Sequence, residues 1–253
     1  MTGQHRSTQR YQPQKADDEE ALLKAIHQKV GAHPRYGCRR ITQLLKETGW
    51  KVNYKRIHRL WKQEGLRVPQ KKRKRRYIGK GANACDKRFS VKMNDVWTLD
   101  FIYDRLISGR QIRCLAIVDE YTRENLCLKL GHSISGEDVI TELNELIKKR
   151  GIPTCIRSDN GPEFISKKVK EWLEAVKIEP LFVEPGAPWQ NGYIEGFNSR
   201  FRDEFLNMEH FSTVREAQQL ALKWQKEYNE KRPHSSLNYQ TPNQFAKSLG
   251  GTS

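Results

Sequence analysis

VWTLDFIY, residues 96–103, is a run of β-branched and aromatic side chains with one carboxylate, Asp100, set inside it. Such residues suit a pleated, half-buried strand, and a charge in that setting is expensive unless it is paired or bound to a cation. Two more strand-like runs follow, Ile112 to Val118 and Asn125 to Leu130, joined by connections short enough for antiparallel neighbours. The pattern then alternates: a helix over about 137–149, a strand over 154–158, a helix over 167–176 and a strand near 181–184. Three strands followed by alternating helices and strands predict an α/β layer fold with a mixed sheet.

Two further carboxylates stand at the ends of these elements. Asp159 closes the 154–158 strand, just before Asn160-Gly161-Pro162. Glu195 falls in a long helix predicted over 190–206, behind the irregular run Pro185-Gly186-Ala187-Pro188. On that helix Ile194, Phe197, Phe201 and Phe205 form an apolar stripe, while Asn191, Glu195, Asn198 and Arg202 form a polar strip on another face. Carboxylates at strand ends suit hard cations, which take oxygen ligands. Taken singly, each has a plainer reading as a turn, cap or surface residue, and Asp119 is read in that plainer way, as a turn residue before Tyr121-Thr122-Arg123.

Upstream, an amphipathic helix is expected from Asp17 to Val30, a second from about Arg39 to Lys46, and a third from an Asn53 cap to about Glu64. Short helices and a Gly-containing turn match a helix-turn-helix, with Lys55, Arg56 and Arg59 on the outer face as candidate DNA contacts. The run Lys71-Lys72-Arg73-Lys74-Arg75-Arg76 is a candidate phosphate-binding segment; its alternative is a solvated charge run. The expected division is a polar arm at 1–16, a helix-turn-helix domain at 17–66, a basic linker at 67–90, a catalytic core at 91–210, and a C-terminal helix and tail at 211–253.

Charge supports a polyanionic partner. The chain of 253 residues has a net charge of +16, and residues 1–80 hold 22 Lys and Arg against 6 Asp and Glu, whereas the remainder holds 24 of each. The whole excess therefore lies in the first third, where it can neutralise phosphates and release counterions. Five cysteines without a CxxC pair suggest neither a disulfide framework nor a zinc site, and the seven scattered histidines add no zinc pattern. No apolar run is long enough for a membrane span, and the polar N-terminus is unlike a signal peptide, so a cytoplasmic, nucleoid-associated bacterial protein is expected.

The segments VWTLDFIY, IRSDNGPEF (156–164) and PGAPWQNGYIEGFNSRFRDEF (185–205), with 35 residues between Asp159 and Glu195, resemble the IS3 family of insertion-sequence transposases. YGCRRI from Tyr36, VDEYTR from Val118 and YNEKRPHSSLNYQTPNQF from Tyr228 extend the likeness over about residues 30–247. The resemblance implies an RNase H-like integrase core with a mixed five-stranded sheet behind a small helical domain. It implies Asp100, Asp159 and Glu195 as catalytic and metal-binding carboxylates holding two Mg²⁺, with Mn²⁺ as substitute, for DNA strand cleavage and 3′-OH strand transfer. It places Arg202 at a basic position that meets DNA, with Asn191, Asn198 and Asn160 as further contacts and Glu163 near Asp159. His234, in the tail, is expected to be structural.

The implied partners are double-stranded DNA, as element ends and as target, and further copies of the chain on that DNA. The fragment GQHRSTQRYQP (3–13) resembles the end of an upstream helix-turn-helix, which implies fusion to, or pairing with, a small first-frame protein. The alternatives are a truncated, non-catalytic regulator of transposition and a nuclease that cuts without joining.

Overall fold

Strand β1, Val96–Arg105, is the centre of a five-stranded sheet of order β3-β2-β1-β4-β5. The computed structural model describes residues 17–69, 88–184 and 188–250. The chain divides into two units, Met1–Arg73 and Lys74–Ser253. In the second, β1 pairs antiparallel with β2 (Gln111–Asp119), which pairs antiparallel with β3 (Asn125–Gly131). On its other side β1 pairs in parallel with β4 (Cys155–Ser158), and β4 with β5 (Glu179–Phe182).

Side chains alternate across β1, so the sheet has two apolar faces. Trp97, Leu99 and Phe101 pack beneath Val139, Leu143, Val169 and Leu173, which come from two helices, Gly136–Arg150 and Lys167–Val176. Ile102 joins Ile194, Phe197, Phe201 and Ala221 on the other face, beneath the helices Gly192–Phe201 and Val214–Glu230. This is the expected RNase H-like arrangement. β5 begins at Glu179 rather than near Leu181. Pro180 is tolerated there because β5 is an edge strand, where a missing N–H leaves no ladder partner wanting.

The three N-terminal helices are α1 (Glu19–Ala32), α2 (Cys38–Glu47) and α3 (Tyr54–Gln63), packed through Leu22, Ile26, Ile41, Leu45, Ile57, Leu60 and Trp61. Asn53 caps α3 by accepting from the Arg56 N–H at 2.8 Å. The turn after α2 uses Gly49 at φ +91°, a left-handed conformation that suits glycine. Two of the expected DNA contacts also have acidic partners within this unit. Arg56 is ion-paired with Asp18, and Arg59 with Glu19 at 2.5 Å, so both guanidinium groups fasten α3 to the start of α1. Lys55 remains exposed. The basic run at 71–76 and the arm at 1–16 lie outside the described residues.

Numbering continues with α4 (Gly136–Arg150), α5 (Lys167–Val176), α6 (Gly192–Phe201), α7 (Val214–Glu230) and α8 (Pro242–Gly250). The helix expected over 190–206 is three pieces: a 3-10 turn at Pro188–Asn191, α6, and a π-helical turn at Arg202–Leu206. The wider last turn keeps Phe205 and Leu206 both buried. Of residues 211–253, read as a helix and tail, the described part to 250 packs within the second unit. From α7, Gln218 accepts from Leu130 N at 2.7 Å and donates to Leu128 O at 2.9 Å, while Asn229 brackets the Asn125 backbone. These side chains occupy the outer edge of β3, which would otherwise offer unpaired backbone groups.

The tail is fixed by a buried ion pair. Arg232 reaches Glu204 of the π turn through two bonds of 2.6 Å each, and His234, also buried, lies edge-on to Tyr228. Arg232→Met leaves the Glu204 carboxylate buried without this partner and is expected to cost about 3–5 kcal/mol. Urea unfolding checks this, and a loss below ~1 kcal/mol would contradict the structural role.

Candidate active site

β4 stops pairing with β1 at Thr98↔Arg157, and Asp100 lies two residues further along β1, where the sheet opens. Its Oδ1 accepts from Phe101 N at 2.7 Å and its Oδ2 from the Asn198 amide of α6 at 2.6 Å. The pKa is pushed up to about 6, first by burial and then by the negative charges of Asp159 and Glu195, against the pull of the two hydrogen bonds. Asp100 is thus electrostatically coupled to both of the other candidate carboxylates, and the cluster carries surplus negative charge.

Asp159 follows β4 directly and is exposed, with Oδ1 accepting from Gly161 N at 3.0 Å. A Cβ at Gly161 would stand 3.0 Å from that same oxygen, so the glycine leaves the carboxylate its place. Asn160 ties the loop to the segment after β5 by donating to Val183 O at 2.9 Å. Glu163 binds Arg113 at 2.7 Å, which lowers its pKa and keeps it charged. Glu195 is exposed in the first turn of α6.

The polar strip on α6 faces β1. Asn191 is buried and accepts from the Thr98 hydroxyl at 2.7 Å, Asn198 holds Asp100, and Arg202 donates to Tyr103 O at 2.8 Å. Buried Arg157 adds bonds of 2.7 Å to Gln190 O and Arg88 O. Asn191 and Asn198, expected as DNA contacts, thus also fasten the helix that carries Glu195. A helical repeat tells which residues share a face, but not which face meets the sheet. Arg202 is exposed and stays available at the rim. Thr98 and Arg157 were missed, although Thr98 lies two residues before Asp100 and so shares its face of β1.

Asp119 is a turn residue as read, accepting from the N–H groups of Asn94, Tyr121 and Thr122 at 2.7–2.9 Å. Burial still raises its pKa. Among the described residues no three His, Cys, Asp or Glu side chains stand close enough to enclose an ion. The three carboxylates are coupled without being closed, and two of them are exposed side chains on a loop and a helix turn. Their donors are all carboxylate oxygens, which fits Mg²⁺ or Mn²⁺ and not a soft metal.

Comparison with known proteins agrees with both units. Residues 90–188 and 176–242 match the integrase core domain family, and residues 15–74 match an HTH-like domain family. The chain is 38% identical to the insertion element IS476 39.2 kDa protein of Xanthomonas euvesicatoria, over 97% of this chain and 70% of that protein. It is 28% identical to the transposase for insertion element IS904 of Lactococcus lactis, over 96% of this chain and 98% of that one. A chain from the simian T-cell lymphotropic virus intasome, in complex with the PP2A regulatory subunit B56 gamma, shares the fold. Its TM-score is 0.51 at 16% identity, covering 86% of this chain and 73% of that chain.

Proposed function

The chain belongs to the IS3 family of insertion-element transposases, and on that footing we propose that Asp100, Asp159 and Glu195 are the carboxylates with which it cuts and joins DNA. The observation that supports this most is the state of Asp100, a largely buried carboxylate raised to about 6 with two like charges beside it. Like charges gathered at the open end of a sheet call for a cation. A pair of divalent ions bound there supplies charge neutralisation at the scissile phosphate and an acidified water.

The chain's own residues set the geometry. Asp100, held by Asn198 and the Phe101 N–H, is the fixed ligand. Asp159 and Glu195, both exposed, would complete the ligand set if divalent ions were bound. Arg202, anchored at Tyr103 O, sits where it can meet the phosphate charge of the incoming strand. Water as nucleophile frees a 3′-OH at the element end. That hydroxyl, attacking a target phosphate in the same site, gives strand transfer without a covalent enzyme intermediate.

The DNA substrate is the element's ends and a target duplex, and pairing two ends calls for at least two copies acting together in the bacterial cytoplasm. A first-frame helix-turn-helix protein, fused or separate, would supply end recognition. The deciding assay incubates the full chain, with and without that first-frame partner, with labelled element ends in Mg²⁺ or Mn²⁺. Joined products with a new bond from the labelled 3′-OH are expected; hydrolysis without joining would make it a nuclease, and neither product would leave a DNA-binding regulator.

DNA affinity offers a separate check on the basic segment. Removing residues 71–76 deletes six positive charges. If all six meet phosphates, the slope of log affinity against log salt is expected to flatten by about 5, at ~0.9 per phosphate neutralised. An unchanged slope would return the run to a solvated linker.

A further inference from the structure

Past Asp100, β1 continues as one arm of a hairpin with β2, paired in register as far as Arg105↔Gln111. On the opposite side this arm has no partner strand among the described residues, because β4 ends its pairing at Thr98. On that open arm Tyr103 is 46% exposed. Its direct cross-strand partner is Arg113, whose guanidinium carbon stands 5.2 Å from the Tyr103 ring centroid and 4.2 Å from that of Phe101.

Arg113 is held by two partners. Phe101 lies under it, and Glu163 binds it at 2.7 Å. On β3 the residue opposite is Gly131, which has no side chain to compete for the space. The arginine thus braces the Tyr103 ring, which is still 46% exposed. Arg105 and Arg110, both exposed, stand further out on the same hairpin, and Arg202 of the π turn is bonded to the backbone of Tyr103 itself. Tyr103 is three residues from Asp100, about 10 Å at the rise of a strand, and is reached by crossing the open edge of β1.

An exposed aromatic ring flanked by arginines is what a separated DNA strand finds complementary. Its bases have free π faces and its phosphates are close by. An intact duplex offers such a ring only sugar and phosphate. We propose that Tyr103, braced by Arg113, is a stacking platform for an unpaired nucleobase of the strand whose phosphate enters at Asp100. The proposal rests on the transposase reading of that site and adds a base subsite to it.

The test uses the full chain, without divalent metal, and two probes. One is a duplex with a short unpaired 3′ tail carrying 2-aminopurine, and the other is the same duplex blunt-ended. Binding of the wild-type chain is expected to quench the 2-aminopurine. Tyr103→Ala is expected to lose that quenching and to bind the tailed probe about 5- to 100-fold more weakly. Its blunt-duplex affinity and melting temperature should match the wild type, since the residue is half exposed and uncharged. Tyr103→Trp should restore both signals, which a role confined to the fold would not predict.

Tyr103→Ala with wild-type quenching and tailed-probe affinity would overturn the platform, and so would an equal loss on both probes. The two readings fail separately. A wild-type chain that joins ends while Tyr103→Ala still quenches removes the platform alone. A chain whose quenching depends on Tyr103 but which neither cuts nor joins keeps the platform and removes the transposase chemistry.

Discussion

Glu195→Gln is expected to bind DNA as tightly as the wild-type chain while losing cleavage and joining together by roughly a thousandfold or more, equivalent to about 4 kcal/mol of transition-state stabilisation. The substitution keeps the side chain's shape and removes one ligand charge. Glu195 is exposed on the first turn of α6, so the fold has little stake in it. The helix itself is held by other residues, through Asn191 on Thr98, Asn198 on Asp100 and Arg202 on the Tyr103 carbonyl. A filter-binding isotherm and a strand-transfer time course on the same preparation separate affinity from chemistry. A Glu195→Gln chain that joined ends at the wild-type rate in Mg²⁺ would remove Glu195 from the site.

Asp100→Asn is expected to abolish activity and, in the absence of divalent metal, to make the protein more stable at neutral pH. Folding raises the Asp100 pKa from an ordinary 3.8 to about 6, mainly by burial. Because an acid with a raised folded pKa resists ionisation, its cost is absent below pH 3.8, grows as pH rises, and is complete above about 6. At about 1.4 kcal/mol per pKa unit, the penalty at pH 7 approaches ~3 kcal/mol. Asparagine carries no charge, so it avoids that penalty.

The hydrogen bonds survive the change. An asparagine Oδ1 still accepts from Phe101 N. The Asn198 Oδ1, buried without a bond of its own, becomes the acceptor for the new amide once the Asn198 side chain turns over. A gain of about 1–3 kcal/mol at pH 7 that vanishes near pH 4 is the expected result in urea unfolding. Added Mg²⁺ should narrow the difference by stabilising the wild type. A variant less stable than wild type at pH 7 would show that attraction holds Asp100 more strongly than burial and the neighbouring like charges oppose it.

Much of the fold was legible because its elements are locally consistent. The β-branched and aromatic run through Val96–Tyr103 and the cap at Asn53 point the same way as the tertiary packing. What was not legible depends on partners distant in sequence. Asp18 and Glu19 look like residues favouring the positive end of a helix dipole, yet in three dimensions they take Arg56 and Arg59. Asn191 and Asn198 look like an outward strip until the sheet beneath them is known.

The helix Pro242–Gly250 had a local signal that went unused. Thr241 accepts from Gln244 N at 3.2 Å, and proline suits the first position of a helix because its absent N–H needs no partner there. The π turn at Arg202–Leu206 had none, since it answers to the burial of Phe205 and Leu206 and the pull of Arg232 on Glu204. For the candidate site, the three carboxylates were proposed as a set through the resemblance of the segments around them to the transposase family. The residues that restrain them, Thr98, Arg157 and Asn198 among them, follow from the packing of α6 across the open end of β1.

Diffraction from crystals of the chain bound to an element-end duplex and soaked in Mn²⁺ puts the site to its most direct test, because anomalous scattering marks the metal without reference to activity. Manganese is expected at the strand-end phosphate, within reach of Asp100, Asp159 and Glu195. Manganese bound elsewhere, or Glu195 still turned to solvent with DNA and metal in place, would contradict the shared-carboxylate site.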